Sequence, residues 1–508
     1  MITRRTLLGA AAGLAGAGVL ASCSSGGNDS GGGEAVPTRT DGLPDLTWKG
    51  TITMGAQAYT PSVEGVNLAP GTRELHEFAN AAEAFTALYP DITIEFLGSE
   101  YTYDIDQMKT AATGGQLPDV WWQQNSTVKT SFPQGVALNL HEYMNQPNPF
   151  IEGNTAWRDV LNDSVYAITA ADAETIYTVN GDFVGTAFFY NVRMFEEAGV
   201  EPPTDFAGLL EVCEKLQDHG FTPLAIQPIE GGYGWLSRIF YGNFLDQAEL
   251  ERIDAFSEEP GITVTDVAVA YHQGLLDPRE NPAVLDWWSV AKQLFDYCDP
   301  TIMQLPPDPP VGSPDPQSYF AAENVAMIYD GTWAPGAVVA HGSDIEVGSF
   351  PWPSMAGSSQ YATAFDSSNA VSGPSAAFQF NVSSERSNSS LKEEGKLDAV
   401  VAWLQFFCTP EWNEKICNEN GSFLPTFTGA EPPEEMAALA ELAAQPIYSI
   451  SGGTEFSAEA HDQVSRMFQQ FMLGQTAMDE VEATFPEIID KGLEEYLRNT
   501  PIDFDSYS

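Results

Sequence analysis

In the first quarter of the chain, short apolar segments typical of strands alternate with longer segments in which apolar residues have helical spacing. Residues 51–54, 92–96 and 120–122 are rich in β-branched, aromatic and other apolar side chains, which predicts three strands. Between them, apolar residues recur at three- and four-residue spacing over 75–88 and 105–113, which predicts two helices. Strands that alternate with helices in this order favour an α/β fold with a doubly wound sheet.

The same two patterns predict the elements of the remaining chain. Strands are predicted at 188–190, 223–226 and 325–329. Helices are predicted at 206–219, 236–255, 282–297, 396–407, 410–419, 461–472 and 477–497. Pro486 lies inside the last helix and is expected to kink or split it. A proline-rich loop at 300–316 and a serine- and glycine-rich stretch at 356–390 interrupt the pattern.

The first 22 residues are typical of an export signal. Arg4 and Arg5 form a twin-arginine-like start, and the apolar run at 7–21 is shorter than the roughly 20 residues that a membrane-spanning helix needs. The small residues before Cys23 resemble a bacterial lipobox, in which the cysteine is lipidated; the alternative is an ordinary signal with an incidental cysteine. Residues 23–46 begin with a serine- and glycine-rich run and predict a flexible tether. We therefore expect a body held by a lipid anchor at the extracellular face of the cell membrane.

The charge of the chain restricts its partners. The sequence has 21 Lys and Arg against 71 Asp and Glu, a net charge of −50. Removing Arg4 and Arg5 with the signal leaves 19 against 71, or −52. This balance excludes nucleic acids and anionic lipid headgroups as partners, because both require basic surface. Two explanations stay open, an adaptation to high salt and a generally acidic set of exported proteins.

Four cysteines remain after lipidation of Cys23. Cys408 and Cys417 lie close together across a predicted helix-turn-helix and form the candidate disulfide, while Cys213 and Cys298 are equally explained as buried thiols. The six histidines are scattered without ligand spacing, so we expect no metal site. We expect no cofactor either.

The chain lacks the motifs of common enzymes. Gly-x-Ser-x-Gly, His-Glu-x-x-His, Cys-x-x-Cys and Gly-x-x-x-x-Gly-Lys are all missing from the sequence. A secreted glycoside hydrolase would need only two carboxylates about 5 to 9.5 Å apart, which a sequence alone does not reveal. We expect a protein that is not an enzyme and keep the glycoside hydrolase as a minor alternative.

A series of short motifs resembles one protein family. In chain order they are Leu117-Pro118-Asp119-Val120, Phe189-Tyr190-Asn191, and the segments at 195–203, 320–333, 350–353, 421–425 and 471–477. Each motif is weak, but their order and spacing are similar to the family 1 extracellular solute-binding lipoproteins of ABC-type sugar importers. The resemblance implies a carbohydrate ligand, a membrane permease as partner and a monomer.

The resemblance also implies a type II-like periplasmic-binding-protein fold of two α/β lobes joined by a hinge. We expect the first lobe at 47–185 plus 360–425 and the second at 186–355. Helices at 426–508 are expected to pack on the lobes. A ligand, likewise by this resemblance, binds in the cleft between them.

Loops that follow strands hold the candidate ligand-binding residues, because ligands of open α/β sheets bind at the carboxyl ends of strands. Aromatic rings stack on the apolar faces of a sugar, and amides and carboxylates bond its hydroxyls. The candidates are Tyr59, Trp122, Gln123, Asn125, Tyr233, Trp235, Trp333 and Asp366. Trp333 is the strongest stacking candidate, since it matches the aromatic position of the family motif.

Other tryptophans are expected to pack in cores. These are Trp157, Trp287, Trp288 and Trp403, which lie in helical patterns. Trp121 and Trp122 alternate on a strand, so one should face a core and the other the cleft or the surface. An alternative function on the same fold is a surface lipoprotein that binds a peptide or another solute.

Overall fold

The computed structural model describes residues 37–68, 74–98, 101, 103–161, 165–166, 169–172, 174–257, 262–306, 313–362, 377–432 and 450–507. These residues belong to one compact unit, Val36–Ser508. The export signal with Arg4 and Arg5, the candidate lipidation site Cys23, and Asp366 lie outside the described residues.

Thirteen strands are described, most of them short. They are β1 Gly50–Gly55, β2 Ile92–Phe96, β3 Val120–Trp122, β4 Ala170–Asp172, β5 Thr175–Ile176, β6 Thr178–Asn180, β7 Asp182–Phe183, β8 Thr186–Asn191, β9 Leu224–Ala225, β10 Met327–Gly331, β11 Val347–Phe350, β12 Gln379–Val382 and β13 Leu424–Pro425. The six strands predicted from the pattern correspond to β1, β2, β3, β8, β9 and β10.

Two larger sheets hold nine of these strands, and two-stranded sheets pair β7 with β13 and β4 with β5. The first has the order β2-β1-β3-β12-β6, in which β1 is parallel to β2 and β3 while β12 is antiparallel to β3 and β6. The second has the order β11-β8-β10-β9, with β10 parallel to β9 and antiparallel to β8. The short strand β7 lies in the chain between β6 of the first sheet and β8 of the second. The mixed α/β architecture predicted from the sequence is confirmed.

The α-helices cover both sheets. They are Glu77–Leu88, Ile105–Thr113, Asn125–Ser131, His141–Met144, Val192–Ala198, Phe206–Asp218, Ser237–Phe244, Gln247–Asp254, Val264–His272, Ala283–Phe295, Pro300–Met303, Pro316–Ala321, Ala334–Ala340, Lys396–Phe407, Pro410–Asn420, Ala458–Met472 and Met478–Asn499. A π-helix runs over Pro228–Leu236. Short 3-10 turns occur at Gln57–Tyr59, Trp157–Val160, Ser389–Lys392, Thr454–Phe456 and Phe504–Tyr507.

Side chains alternate between the two faces of each sheet. In the first sheet, Val120 belongs to one apolar cluster and Trp121 to another. In the second, Phe188 and Phe189 are divided in the same way. Each sheet is therefore packed on both faces, as a doubly wound arrangement requires.

The C-terminal helices pack on the core of the second sheet. Val464, Phe468, Phe485 and Ile489 all belong to the apolar cluster that contains Phe188. Helix Met478–Asn499 continues through Pro486, so of the two expected effects, a kink or a split, the split does not occur. Phe485 and Ile489 are buried on either side of it, and this packing holds both halves in place.

The predicted disulfide is wrong. Cys408 and Cys417 are free and buried, as are Cys213 and Cys298. The Cys417 thiol instead lies 3.5 Å from the Tyr59 hydroxyl and 3.6 Å from the Asn413 amide. Burial in apolar surroundings raises the thiol pKa of Cys408 and Cys417 well above its ordinary value, so both behave as packed, unreactive side chains.

Candidate functional site

An aromatic wall stands at the carboxyl edge of the first sheet. Tyr101 and Tyr103 follow β2, and an added Cβ on Gly55, the last residue of β1, would lie 3.1 Å from the Tyr101 ring and 3.3 Å from the Tyr103 hydroxyl. The Tyr103 ring is 5.0 Å from Tyr101 and 5.7 Å from Trp122 of β3, both edge-to-face. All three rings are partly exposed. They form a surface on which a flat apolar group can stack.

Polar atoms of this wall have fixed positions. The backbone N–H of Gln57 donates to the Tyr103 hydroxyl at 2.8 Å, and Gln57 has a positive φ of 49°, an uncommon conformation for a residue with a side chain. Within the described chain, the Tyr101 hydroxyl has no hydrogen-bond partner. Burial raises the pKa of Tyr101 and Tyr103, so both remain neutral hydroxyl donors.

Two tryptophans stand at the edge of the second sheet. Trp235 lies in the π-helix Pro228–Leu236 that follows β9, and Trp333 follows β10. Their rings are 5.5 Å apart at 73°. An added Cβ on Gly331 would lie 2.3 Å from the Trp333 ring. Glycine is therefore required at position 331, because a residue with a side chain would clash with the Trp333 indole, which lies against the backbone there.

Trp333 also contacts the core of the first sheet. Its ring centroid is 6.5 Å from that of Phe423, a buried residue of the cluster that surrounds the first sheet. Phe423 in turn lies 5.7 Å from the Tyr59 ring, just beyond the end of β1. Trp333 thus follows a strand of the second sheet and packs against the core of the first.

A buried carboxyl group lies beneath this location. Asp182 of β7 accepts hydrogen bonds from the Tyr59 hydroxyl at 2.6 Å and from the Phe378 backbone N–H at 2.9 Å. Desolvation raises its pKa to about 7, against the lowering effect of these hydrogen bonds. Asp182 therefore places an ionisable group in the segment that connects the two sheets, since β7 lies between β6 and β8 in the chain.

The described residues contain no group of three or more His, Cys, Asp and Glu side chains placed to hold a metal ion. In the same part of the chain, no helix has the length and apolar character needed to cross a membrane.

Comparison with known families assigns the chain. The sequence profile of the bacterial extracellular solute-binding proteins matches residues 80–444. The chain belongs to this family. A solute-binding protein is a transport receptor and not an enzyme, as expected from the missing catalytic motifs. A search of curated protein sequences finds no match.

Solved structures share the fold of this solute-binding protein. A chitin oligosaccharide binding protein is 18% identical, with a TM-score of 0.58 and coverage of 88% of this chain and 99% of its own. The GacH receptor of Streptomyces glaucescens GLA.O is 19% identical, with a TM-score of 0.57 and coverage of 88% and 100%. A probable secreted solute-binding lipoprotein from Streptomyces coelicolor is 15% identical, with a TM-score of 0.56 and coverage of 88% and 98%. These similarities agree with the periplasmic-binding-protein fold predicted from the sequence.

Two of the predicted ligand-binding residues of this solute-binding protein are in cores. Tyr59 is 1% exposed and donates to Asp182, while Tyr233 is 0% exposed and donates to the Ser451 carbonyl at 3.0 Å. Neither ring has a free face for stacking, which contradicts the ligand contacts predicted for them. The reason is the local backbone. The 3-10 helix Gln57–Tyr59 directs the Tyr59 ring into the core, and the π-helix Pro228–Leu236 does the same for Tyr233.

Gln123 and Asn125 lie behind the aromatic wall. Both are buried. The Gln123 side-chain amide donates to the Tyr103 carbonyl at 3.2 Å, and the Asn125 backbone N–H donates to the Gln379 side chain at 2.7 Å. Their contacts position the wall and the strand β12 rather than expose polar groups.

The burial predicted for the other tryptophans is confirmed, whereas the ligand contacts of Trp122, Trp235, Trp333 and Asp366 stay predictions. Trp121 is fully buried, while Trp122 is partly exposed and its indole N–H donates to the Ala377 carbonyl at 2.7 Å. Trp157, Trp287, Trp288 and Trp403 are buried, as their helical or apolar surroundings predict. The pattern-based reasoning missed Tyr101, Tyr103 and Gln57. Their position directly after β1 and β2 was the available indication.

Proposed function

We propose that the protein captures a carbohydrate between two lobes and delivers it to an ABC-transporter permease. The supporting observation is the position of Trp333, which follows a strand of the second sheet, contacts Trp235 and packs against Phe423 in the core of the first sheet. A sugar presents flat C–H faces to such rings and hydroxyls to their polar neighbours, without requiring a net charge. The chitin oligosaccharide binding protein and the GacH receptor, solved with acarbose, share the fold.

The mechanism is a hinged clamp. The first lobe comprises residues 47–185 and 360–425, the second 186–355, and residues 426–508 add helices. Ligand that touches both lobes favours the closed state only by its greater affinity for that state. Trp333 suits this role because its contact with the first core exists only when the two sheets lie together. The permease then receives the closed form.

A ligand screen tests the carbohydrate class. Raffinose, chitin oligosaccharides and maltooligosaccharides are each added in thermal-shift assays, with short peptides as the competing class. A ligand at 100 times its dissociation constant should add about 2.7 kcal/mol to the free energy of unfolding, and calorimetry then gives the affinity. Stabilisation by peptides and by none of the sugars would replace the carbohydrate with the peptide alternative.

The lipid anchor has a separate test. The Cys23→Ser variant should move from the membrane fraction to the medium, because it lacks the thiol that would carry the lipid. Retention of the variant in the membrane fraction at the wild-type level would contradict lipidation of Cys23.

A further inference from the structure

A charged cluster adjoins Trp235 on the second sheet's side of the site. Arg238 follows Trp235 by three residues, in helix Ser237–Phe244. Residues three apart on a helix lie on one face, so Arg238 and Tyr241 are neighbours. An added Cβ on Gly452 would lie 2.1 Å from the Tyr241 hydroxyl. The loop at 451–455 is therefore packed against the face that carries Arg238.

This loop holds a carboxylate by one of its oxygens. Oε1 of Glu455 accepts from the Ser451 backbone N–H at 2.8 Å. Oε2 is buried and has no partner among the described residues. Burial raises the pKa of Glu455, and the nearby charge of Arg238 acts in the opposite direction. The two groups are near enough to influence one another.

Arg238 has unused donors in the same neighbourhood. Its Nε is buried without a hydrogen-bond partner, and no ion pair to it occurs within the described part of the chain. The side chain as a whole is partly exposed, and His461 beside it is exposed. Burial, together with the charge of Arg238, lowers the pKa of His461. Arg238 and Glu455 are both partly exposed, so a solute can reach the cluster from the surface.

We infer that Arg238 and Glu455 bind adjacent hydroxyl groups of an uncharged solute. A carboxylate or phosphate would pair with Arg238 but would face the like charge of Glu455, and an ammonium group would do the reverse. A hydroxyl accepts from a guanidinium and donates to a carboxylate, so a pair of hydroxyls satisfies both side chains at once.

This inference rests on the proposed function and narrows it to neutral sugars. A ring stacked on Trp235 would lie within one helical turn of Arg238, so stacking and hydroxyl recognition are available to one solute. Discrimination against charged sugars then comes from the two opposite charges, because a sugar that carries charge of a single sign is repelled by one of them.

The test compares three oligosaccharide classes by calorimetry on the full chain. Chitin oligosaccharides, raffinose and maltooligosaccharides are neutral, chitosan oligosaccharides carry ammonium groups, and oligogalacturonides carry carboxylates. The tightest neutral probe should bind at least tenfold more strongly than either charged class. Arg238→Met and Glu455→Gln should each weaken that probe by about tenfold or more, the scale of one charge-assisted hydrogen bond.

Charge replacement gives a second readout. Glu455→Gln should improve binding of oligogalacturonides relative to the neutral probe, because it removes the like charge. Arg238→Lys keeps the charge, so its loss of neutral-probe affinity should be smaller than that of Arg238→Met. The matched controls are Arg158→Met and Glu494→Gln, at exposed positions, and both should bind as the wild type does.

Three outcomes overturn the inference. If the neutral probe binds equally well to the Glu455→Gln and Arg238→Lys variants and the wild type, the cluster has only a structural role. If oligogalacturonides bind best to the wild type, the solute is anionic. If no sugar of any class binds, the proposed carbohydrate function fails together with the inference. In the first two outcomes a sugar still binds, so only the inference fails. Thermal melts of the unliganded variants show whether Arg238→Met still folds. If it does not, the test rests on Glu455→Gln, whose side chain has nearly the same shape as that of the wild type.

Discussion

At the scale of single residues, Asp182 is a carboxyl group that is fully buried from solvent. Its pKa of about 7, compared with an ordinary value of 3.8, means that the folded protein keeps a proton that the unfolded chain loses. The free energy of unfolding therefore falls as pH rises from about 4 to about 7. At 1.36 kcal/mol per pKa unit, this is a loss on the order of 4 kcal/mol.

The Asp182→Asn variant should remove this loss. Asparagine stays neutral and keeps an oxygen that can accept from Tyr59, so the stability of the variant relative to wild type should increase between pH 5 and pH 8. Urea unfolding at several pH values measures the difference, which cancels the effect of the other carboxylates. The exposed Asp503→Asn change serves as control. A difference that stays constant with pH would show that Asp182 does not titrate in this range.

Trp333 is a second residue with a distinct expected effect. If its ring stacks on a sugar, Trp333→Ala should lose roughly 1 to 3 kcal/mol of binding, about five- to 150-fold in affinity. A purely structural tryptophan would instead cost about 3 to 5 kcal/mol of stability. Calorimetry with the sugar found in the screen, beside a melt without ligand, separates the two.

Trp412 provides the control for this prediction. It is also partly exposed and packs on the first core, in helix Pro410–Asn420. Trp412→Ala should leave sugar affinity unchanged. An unchanged affinity for Trp333→Ala together with a collapsed melting temperature would assign Trp333 to packing alone.

At the scale of elements, Asp119 joins a strand, a helix and a loop. One carboxylate oxygen accepts from the backbone and the hydroxyl of Thr53 in β1, and the other accepts from the Asn388 amide and lies 3.1 Å from the Lys396 ammonium. Both charged side chains are buried. The Leu-Pro-Asp-Val motif therefore has a structural purpose, since it fixes helix Lys396–Phe407 beside β1.

Removal of one partner should be costly. Lys396→Met should lower the free energy of unfolding by about 3 to 5 kcal/mol, because the carboxylate of Asp119 stays buried without its cation. Urea unfolding measures this, and adding Asp119→Asn to the variant should recover part of the loss. Lys415→Met, which breaks an exposed pair with Glu411, should cost less than about 1 kcal/mol. Equal losses for the two lysine variants would mean that the buried pair adds nothing beyond surface charge.

At the scale of the whole molecule, the net charge of −50 dominates. Like charges repel across the surface of the folded protein, and salt screens that repulsion as the Debye length falls from about 30 Å at 0.01 M to about 3 Å at 1 M. Thermal stability should therefore rise strongly between low salt and about 1 M sodium chloride. A neutral solute of equal osmolality is the control. A melting temperature that is flat across this range would favour a generally acidic surface over an adaptation to salt.

Elements with strong local patterns were predictable from the sequence. Strand Ile92–Phe96 and helix Ile105–Thr113 have the predicted boundaries. Both the spacing of apolar residues and the residues that end an element act over only a few positions of the chain. The helix predicted over 236–255 is instead two helices, separated at Asp246, whose side chain caps the second. Strand β12 was missed within a serine- and glycine-rich stretch, since its partners, Trp122 and Asn180, are distant in the chain.

The sequence by itself determined the class of fold, the acidic surface and the set of aromatic residues near the ends of strands. Only the tertiary structure decided which of them face outward. Tyr59 is turned into the core by a hydrogen bond to a residue 123 positions away, and Trp333 reaches the partly exposed site because Gly331 leaves room for its ring. Periodicity reports the burial of a residue within its own element, but the direction of a side chain in a loop depends on contacts that form only when distant segments meet.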